Sequence, residues 1–131
     1  MGHQIKTAGK ELTMSVRKFC LAATVSMIFI STANAAPATG DAIKAAVGGN
    51  SVQGNMDSSG PYAEFYQADG VIKGKDYAGK WTIEGDTMCF EYEGTPKDCW
   101  SVEISGDQVK WLKDGKSGGT GTIVPGNPNN F

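Results

Sequence analysis

Between Lys80 and Lys113 a glycine–aspartate pair occurs twice, at Gly85-Asp86 and Gly106-Asp107, with apolar and polar residues alternating on either side. Such pairs favour two-residue hairpin turns. A turn at 85–86 sets Ile83 opposite Met88 and Trp81 opposite Phe90, and a turn at 106–107 sets Ile104 opposite Val109 and Val102 opposite Trp111. Placing Cys89 opposite Cys99 then sets Met88 opposite Trp100. The apolar residues Trp81, Ile83, Met88, Phe90, Trp100, Val102, Ile104, Val109 and Trp111 all fall on one face. The cysteines share the other face with Thr82, Glu91, Ser101 and Glu103. Side chains alternate with a period of two, so a slip of one residue would break every agreement at once. This stretch is an antiparallel meander.

The remaining punctuation extends it. Asp69-Gly70 reads as a hairpin turn between strands 62–68 and 71–75, and further strands are expected at 51–57 and 120–124, the last after a Gly-rich link at 114–119. Gly74 is expected on the apolar face between Phe65 and Trp81, with aromatic rings packed over it. Only residues 41–47 look helical, with Asp41 as cap, Gly48 in the left-handed position after the last turn, and Ile43, Ala46 and Val47 as the apolar side. The expected fold is all-β, a small antiparallel meander or barrel of about seven to eight strands with one short N-terminal helix.

Residues 1–35 are expected to form no part of that fold. Met14-Ser-Val-Arg-Lys, the apolar run 19–30 and the small-residue site Ala33-Asn34-Ala35 make a secretory signal, cleaved between Ala35 and Ala36, with Met14 as the biological start. The run is shorter than a membrane span requires. Residues 36–131 then form a single exported β domain, periplasmic or secreted. Of its cysteines only Cys89 and Cys99 remain. In an oxidising compartment an even pair reads as a structural disulfide, and a spacing of ten fits neither a redox motif nor a zinc site.

Composition narrows function. Residues 36–131 contain no His and no Arg, and eight Lys against thirteen Asp and Glu give a net charge of −5. That excludes His-based acid–base chemistry and a His-ligated metal, and it disfavours nucleic acid, whose binding relies on cations. Gly115-Lys116-Ser117 resembles the end of a phosphate loop, but no helix is expected after it, so it reads as a turn. Glu64, Glu91, Glu93 and Glu103 could supply a glycosidase-like acid and base. Glu103 falls opposite Lys110 as a surface pair, and all four are read as exposed. No enzyme, cofactor or metal is expected.

The aromatic residues are the remaining functional signal. Trp81, Trp100 and Trp111 fall on the apolar face and read mainly as core, filling the interior and leaving little free volume. Tyr66, expected on the face opposite Phe65's apolar one, and Tyr77, in the link between hairpins, occupy positions suited to exposed contacts.

The strings Glu64-Phe65-Tyr66, Asp69-Gly70, Gly79-Lys80-Trp81, Met88-Cys89-Phe90 and Asp98-Cys99-Trp100 carry a resemblance. Over roughly residues 43–128 the chain resembles an uncharacterised family of small exported domains of Gram-negative bacteria, which are similar to lipocalin-like, or calycin-like, sheets. The resemblance implies a binding module that holds a small apolar or sugar ligand in a barrel mouth, here lined by Tyr62, Tyr66, Tyr77 and Trp81. It brings no catalytic residues. The alternative is an acidic protein-interaction module, for example an inhibitor of a cationic envelope hydrolase, steered to its partner by charge.

Overall fold

A computed structural model describes residues 36–131. The expected signal segment and its cleavage site lie outside the described residues. Helix α1 (Gly40–Val47) precedes eight strands: β1 (Asn50–Met56), β2 (Gly60–Tyr66), β3 (Val71–Lys73), β4 (Ala78–Glu84), β5 (Thr87–Tyr92), β6 (Asp98–Ser105), β7 (Gln108–Lys113) and β8 (Lys116–Pro125). Each strand pairs antiparallel with the next, and β8 returns to β1, so the sheet closes into a barrel. Pairing between β2 and β3 covers only Phe65 and Tyr66, so closure is narrowest there.

The meander from β4 to β7 has the register that its turns dictate. Trp81 pairs with Phe90, Ile83 with Met88, Met88 with Trp100, Val102 with Trp111 and Ile104 with Val109. Glu103 lies opposite Lys110, and their charged ends are 3.7 Å apart. Cys89 and Cys99 face each other on the outside of the barrel and form a disulfide.

The β2–β3 hairpin departs from expectation. A two-residue turn at 69–70 would pair Phe65 with Gly74, whereas Phe65 pairs with Lys73 and Tyr66 with Ile72. The Gln67 N–H donates to the Val71 carbonyl across a three-residue loop, closed by Gly70 at φ +101°. One extra loop residue shifts the register by one, and a shift of one exchanges the faces. Tyr62, Glu64 and Tyr66 therefore point inward and Phe65 outward. Pairing with β1 agrees, since Glu64 lies opposite the fully buried Val52. Tyr66, expected as an exposed contact, is only 1% exposed.

Two further corrections concern glycine. The expected link at 114–119 is mostly strand, because β8 begins at Lys116 directly after a tight turn in which Asp114 and Gly115 both have positive φ. Its glycines are small enough for rings to lie against backbone: a Cβ at Gly118 would fall 2.6 Å from the Trp100 ring, and one at Gly121 would fall 2.4 Å from the Tyr62 hydroxyl. Gly74 does lie beneath an aromatic ring, but the ring is Tyr77 rather than Phe65 or Trp81.

Helix α1 closes one end of the barrel. Thr39, not Asp41, caps it by accepting from the Ala42 N–H, and the left-handed residue after the helix is Gly49, not Gly48. Ile43 and Val47 are fully buried. The Gly40 N–H donates to Asp86 Oδ1 at 2.8 Å, the Ala38 N–H to the Val102 carbonyl at 2.7 Å and the Gly49 N–H to the Tyr66 carbonyl at 2.7 Å. These bonds fix the helix over the end that carries the β4–β5 and β6–β7 turns. Val52, Ile72, Met88, Val102 and Val109 complete the apolar core beneath it.

Candidate functional site

The opposite end is open. The β1–β2 turn, the β3–β4 link and the β5–β6 loop surround a cavity of about 850 Å³. Ser58, Ser59, Asp76, Glu93, Thr95, Pro96 and Lys97 form its rim, and Tyr62, Glu64, Tyr66, Phe90, Tyr92, Trp100 and Trp111 line it more deeply. The three tryptophans do not fill the interior, contrary to expectation. Trp81 lies below the cavity as part of the core, with its indole N–H donating to the Gln67 carbonyl at 2.9 Å. Trp111, also buried in the core as expected, and Trp100, packed against that core, form part of the cavity wall.

At the centre stands Glu64, only 6% exposed although its type and strand position suggested a surface carboxylate. Tyr66 donates to Oε1 at 2.8 Å, Tyr77 donates to Oε2 at 2.8 Å, and Tyr92 reaches both oxygens, at 3.0 and 2.8 Å. Three phenolic protons thus occupy both oxygens. Burying a carboxylate is expensive unless hydrogen bonds replace its water, and bonds to an ionised acceptor are the strong kind. Among the described residues the ion pairs are Lys97–Glu84, Lys110–Glu103 and Lys113–Asp98, and none includes Glu64. Its protein hydrogen-bond partners are three neutral phenols.

The phenols respond to this setting. Burial pushes the Tyr66, Tyr77 and Tyr92 hydroxyls well above the ordinary tyrosine range, and the negative charge of Glu64 pushes the same way. Tyr62 is pushed up to about 12, chiefly by burial and further by Glu64, against a lowering by its bond from Trp111. That bond is 2.7 Å from the Trp111 indole N–H, and the Tyr62 hydroxyl donates onward to the Thr120 carbonyl at 3.0 Å.

Glycines admit two of the three donors. A Cβ at Gly74 would lie 2.2 Å from the Tyr77 ring, and one at Gly79 would lie 2.7 Å from the Tyr92 ring. Tyr77 and Tyr92 meet edge to face at 6.0 Å, and Phe90 meets Trp111 edge to face at 5.5 Å. The result is a wall of aromatic rings above a buried anion.

The structure gathers Tyr62, Tyr66 and Tyr77 around the cavity and leaves Trp81 outside it. Sequence reasoning missed Glu64 and Tyr92. The signal for Glu64 was present as the alternation Tyr62-x-Glu64-x-Tyr66, which puts the carboxylate on the tyrosine face whichever way that face points. Tyr92 follows Met88 and Phe90 at the same period. A second group, Glu84 with Cys89 and Cys99, brings three potential metal ligands together, but its two sulfurs are bonded to each other. No family model, curated protein or solved structure matches the chain.

Proposed function

We propose that residues 36–131 form a non-catalytic, lipocalin-like binding module that acts in the periplasm or outside the cell and holds a small ligand in its barrel mouth. The observation that carries this reading is the cavity of about 850 Å³ lined by aromatic rings at the end opposite the helix. Ligand sites are typically concave, mostly apolar and supplied with a few fixed polar groups, and roughly 300–1,000 Å³ is their usual range. The Cys89–Cys99 disulfide supports an oxidising compartment. Against catalysis, the buried carboxylate has both oxygens engaged by phenols, and the other lining acids, Asp76, Glu93 and Asp98, are exposed at the rim. General acid–base work needs a carboxyl that can exchange its proton with substrate.

Tryptophan fluorescence tests the reading, since Trp100 and Trp111 border the cavity. Titration with panels of lipids, glycans and small amines should give a saturable change with at least one class. A parallel pull-down from envelope extract at low and high salt addresses the acidic-inhibitor alternative. Salt-sensitive capture of a basic protein, with no fluorescence response to any small ligand, would replace the binding-module reading.

A further inference from the structure

The mouth combines an anion, aromatic faces and a shortage of accessible cations. Four carboxylates line the cavity, Glu64, Asp76, Glu93 and Asp98, against one cation, Lys97, which is already paired with Glu84. Asp98 has Lys113 as its partner, so the cation-free charge deepest in the site is Glu64. A carboxylate ligand entering here would meet like charge in a desolvated setting. A neutral ligand would leave that charge unanswered.

The hydrogen bonds narrow the choice among cations. Tyr66, Tyr77 and Tyr92 already supply three donors to the two Glu64 oxygens, and the residue is only 6% exposed, so little of the carboxylate is open to an incoming N–H donor. A cation without N–H groups needs no acceptor. It requires only a negative field and π-faces, and a quaternary nitrogen over tyrosine, phenylalanine or tryptophan rings gains attraction from both. The phenols donate their hydrogen bonds to Glu64, and the rings of Tyr77, Tyr92, Phe90 and Trp111 all line the same cavity. Resting on the reading of the mouth as a ligand site, we propose that the ligand carries a quaternary ammonium group, seated among Tyr77, Tyr92, Phe90 and Trp111 within the field of Glu64.

The test uses the oxidised full chain and three probes: choline, its neutral carbon isostere dimethylbutanol, and butylamine. Calorimetry or tryptophan fluorescence should show choline binding at least about tenfold tighter than the isostere, as expected for a partly desolvated cation–π site near an anion. Butylamine should bind more weakly than choline. Glu64→Gln should narrow the gap between choline and the isostere severalfold, leaving the part that the aromatic rings supply. Because that variant alters a buried group, Tyr77→Ala provides a second reading on a side chain that is 46% exposed, and it should weaken choline severalfold with the fold intact by circular dichroism. Equal binding of choline and dimethylbutanol by the wild-type chain, or tighter binding of butylamine, would overturn the ammonium assignment and leave a ligand-binding mouth standing. If none of these probes binds and the lipid and glycan panels also fail, both readings fall.

Discussion

One end of this barrel is sealed by aliphatic side chains, and the other is held open by phenols around a carboxylate. Both ends follow the same inward–outward alternation. At the helix end Ile43, Val47, Val52, Ile72, Met88 and Val102 are fully buried and belong to one apolar cluster. At the mouth Glu64 is nearly as buried, but its surroundings are hydroxyls and a cavity. Aliphatic packing stabilises a small domain, whereas burying an unpaired charge costs stability even when hydrogen bonds offset much of it. The difference fits a division of tasks under the proposed function, in which the helix end and the disulfide hold the fold and the mouth takes the ligand.

Substitutions should separate those tasks. The largest effect is expected at the sealed end, where Ile43→Ala opens a hole under the helix and should cost about 2–5 kcal/mol in urea unfolding. Its effect on ligand affinity should be slight at temperatures where the fold persists. Next comes the outer wall: replacing Cys89 and Cys99 together by Ser should cost about 2–3 kcal/mol in the chain-entropy model, with the mouth unaltered. The smallest loss of stability belongs to the mouth. Gly74→Ala drives the half-exposed Tyr77 ring from its seat and removes one donor from Glu64, for about 1.5 kcal/mol, the low end for a bond to a charged group because the ring is half exposed. Its effect on ligand binding should nonetheless exceed those of the other two. A Gly74→Ala chain that binds normally would mean that Tyr77 is no part of the site.

How much of this was legible in the sequence also differs between the ends. The meander from β4 to β7 could be read in full because two short turns fixed its register and the cysteine pairing agreed with it. The apolar side of the helix was readable for the same reason, through Ile43 and Val47. The mouth was not, because it hung on a single ambiguity. Asp69-Gly70 is compatible with a two- or a three-residue loop, and the one-residue difference decides whether Phe65 or the set Tyr62, Glu64 and Tyr66 faces inward. Periodicity alone cannot choose when both faces carry an aromatic ring. A glutamate is also seldom buried, so composition favoured the wrong face. The enclosing role of Tyr77 depends on the shape of the β3–β4 link and the bare backbone at Gly74, neither of which has a sequence period.

The central claim is that the mouth is built on a buried carboxylate held by phenols, and tyrosine titration by ultraviolet absorbance tests it directly. The folded form of each of the four tyrosines binds its proton more tightly than the unfolded chain, whose tyrosines ionise near about pH 10. Groups raised in this way contribute stability below the unfolded value, and that stability is lost as pH rises through the folded one. For Tyr62 the window runs from there to about 12. The native protein should therefore show no tyrosine ionisation near pH 10, and phenolate should appear only at higher pH, as Tyr62 titrates and the fold gives way. In Glu64→Gln the Tyr77 and Tyr92 steps should move to lower pH, because the charge that opposes their ionisation is gone. Ionisation of the tyrosines near pH 10 with the near-ultraviolet circular dichroism unchanged would contradict the claim.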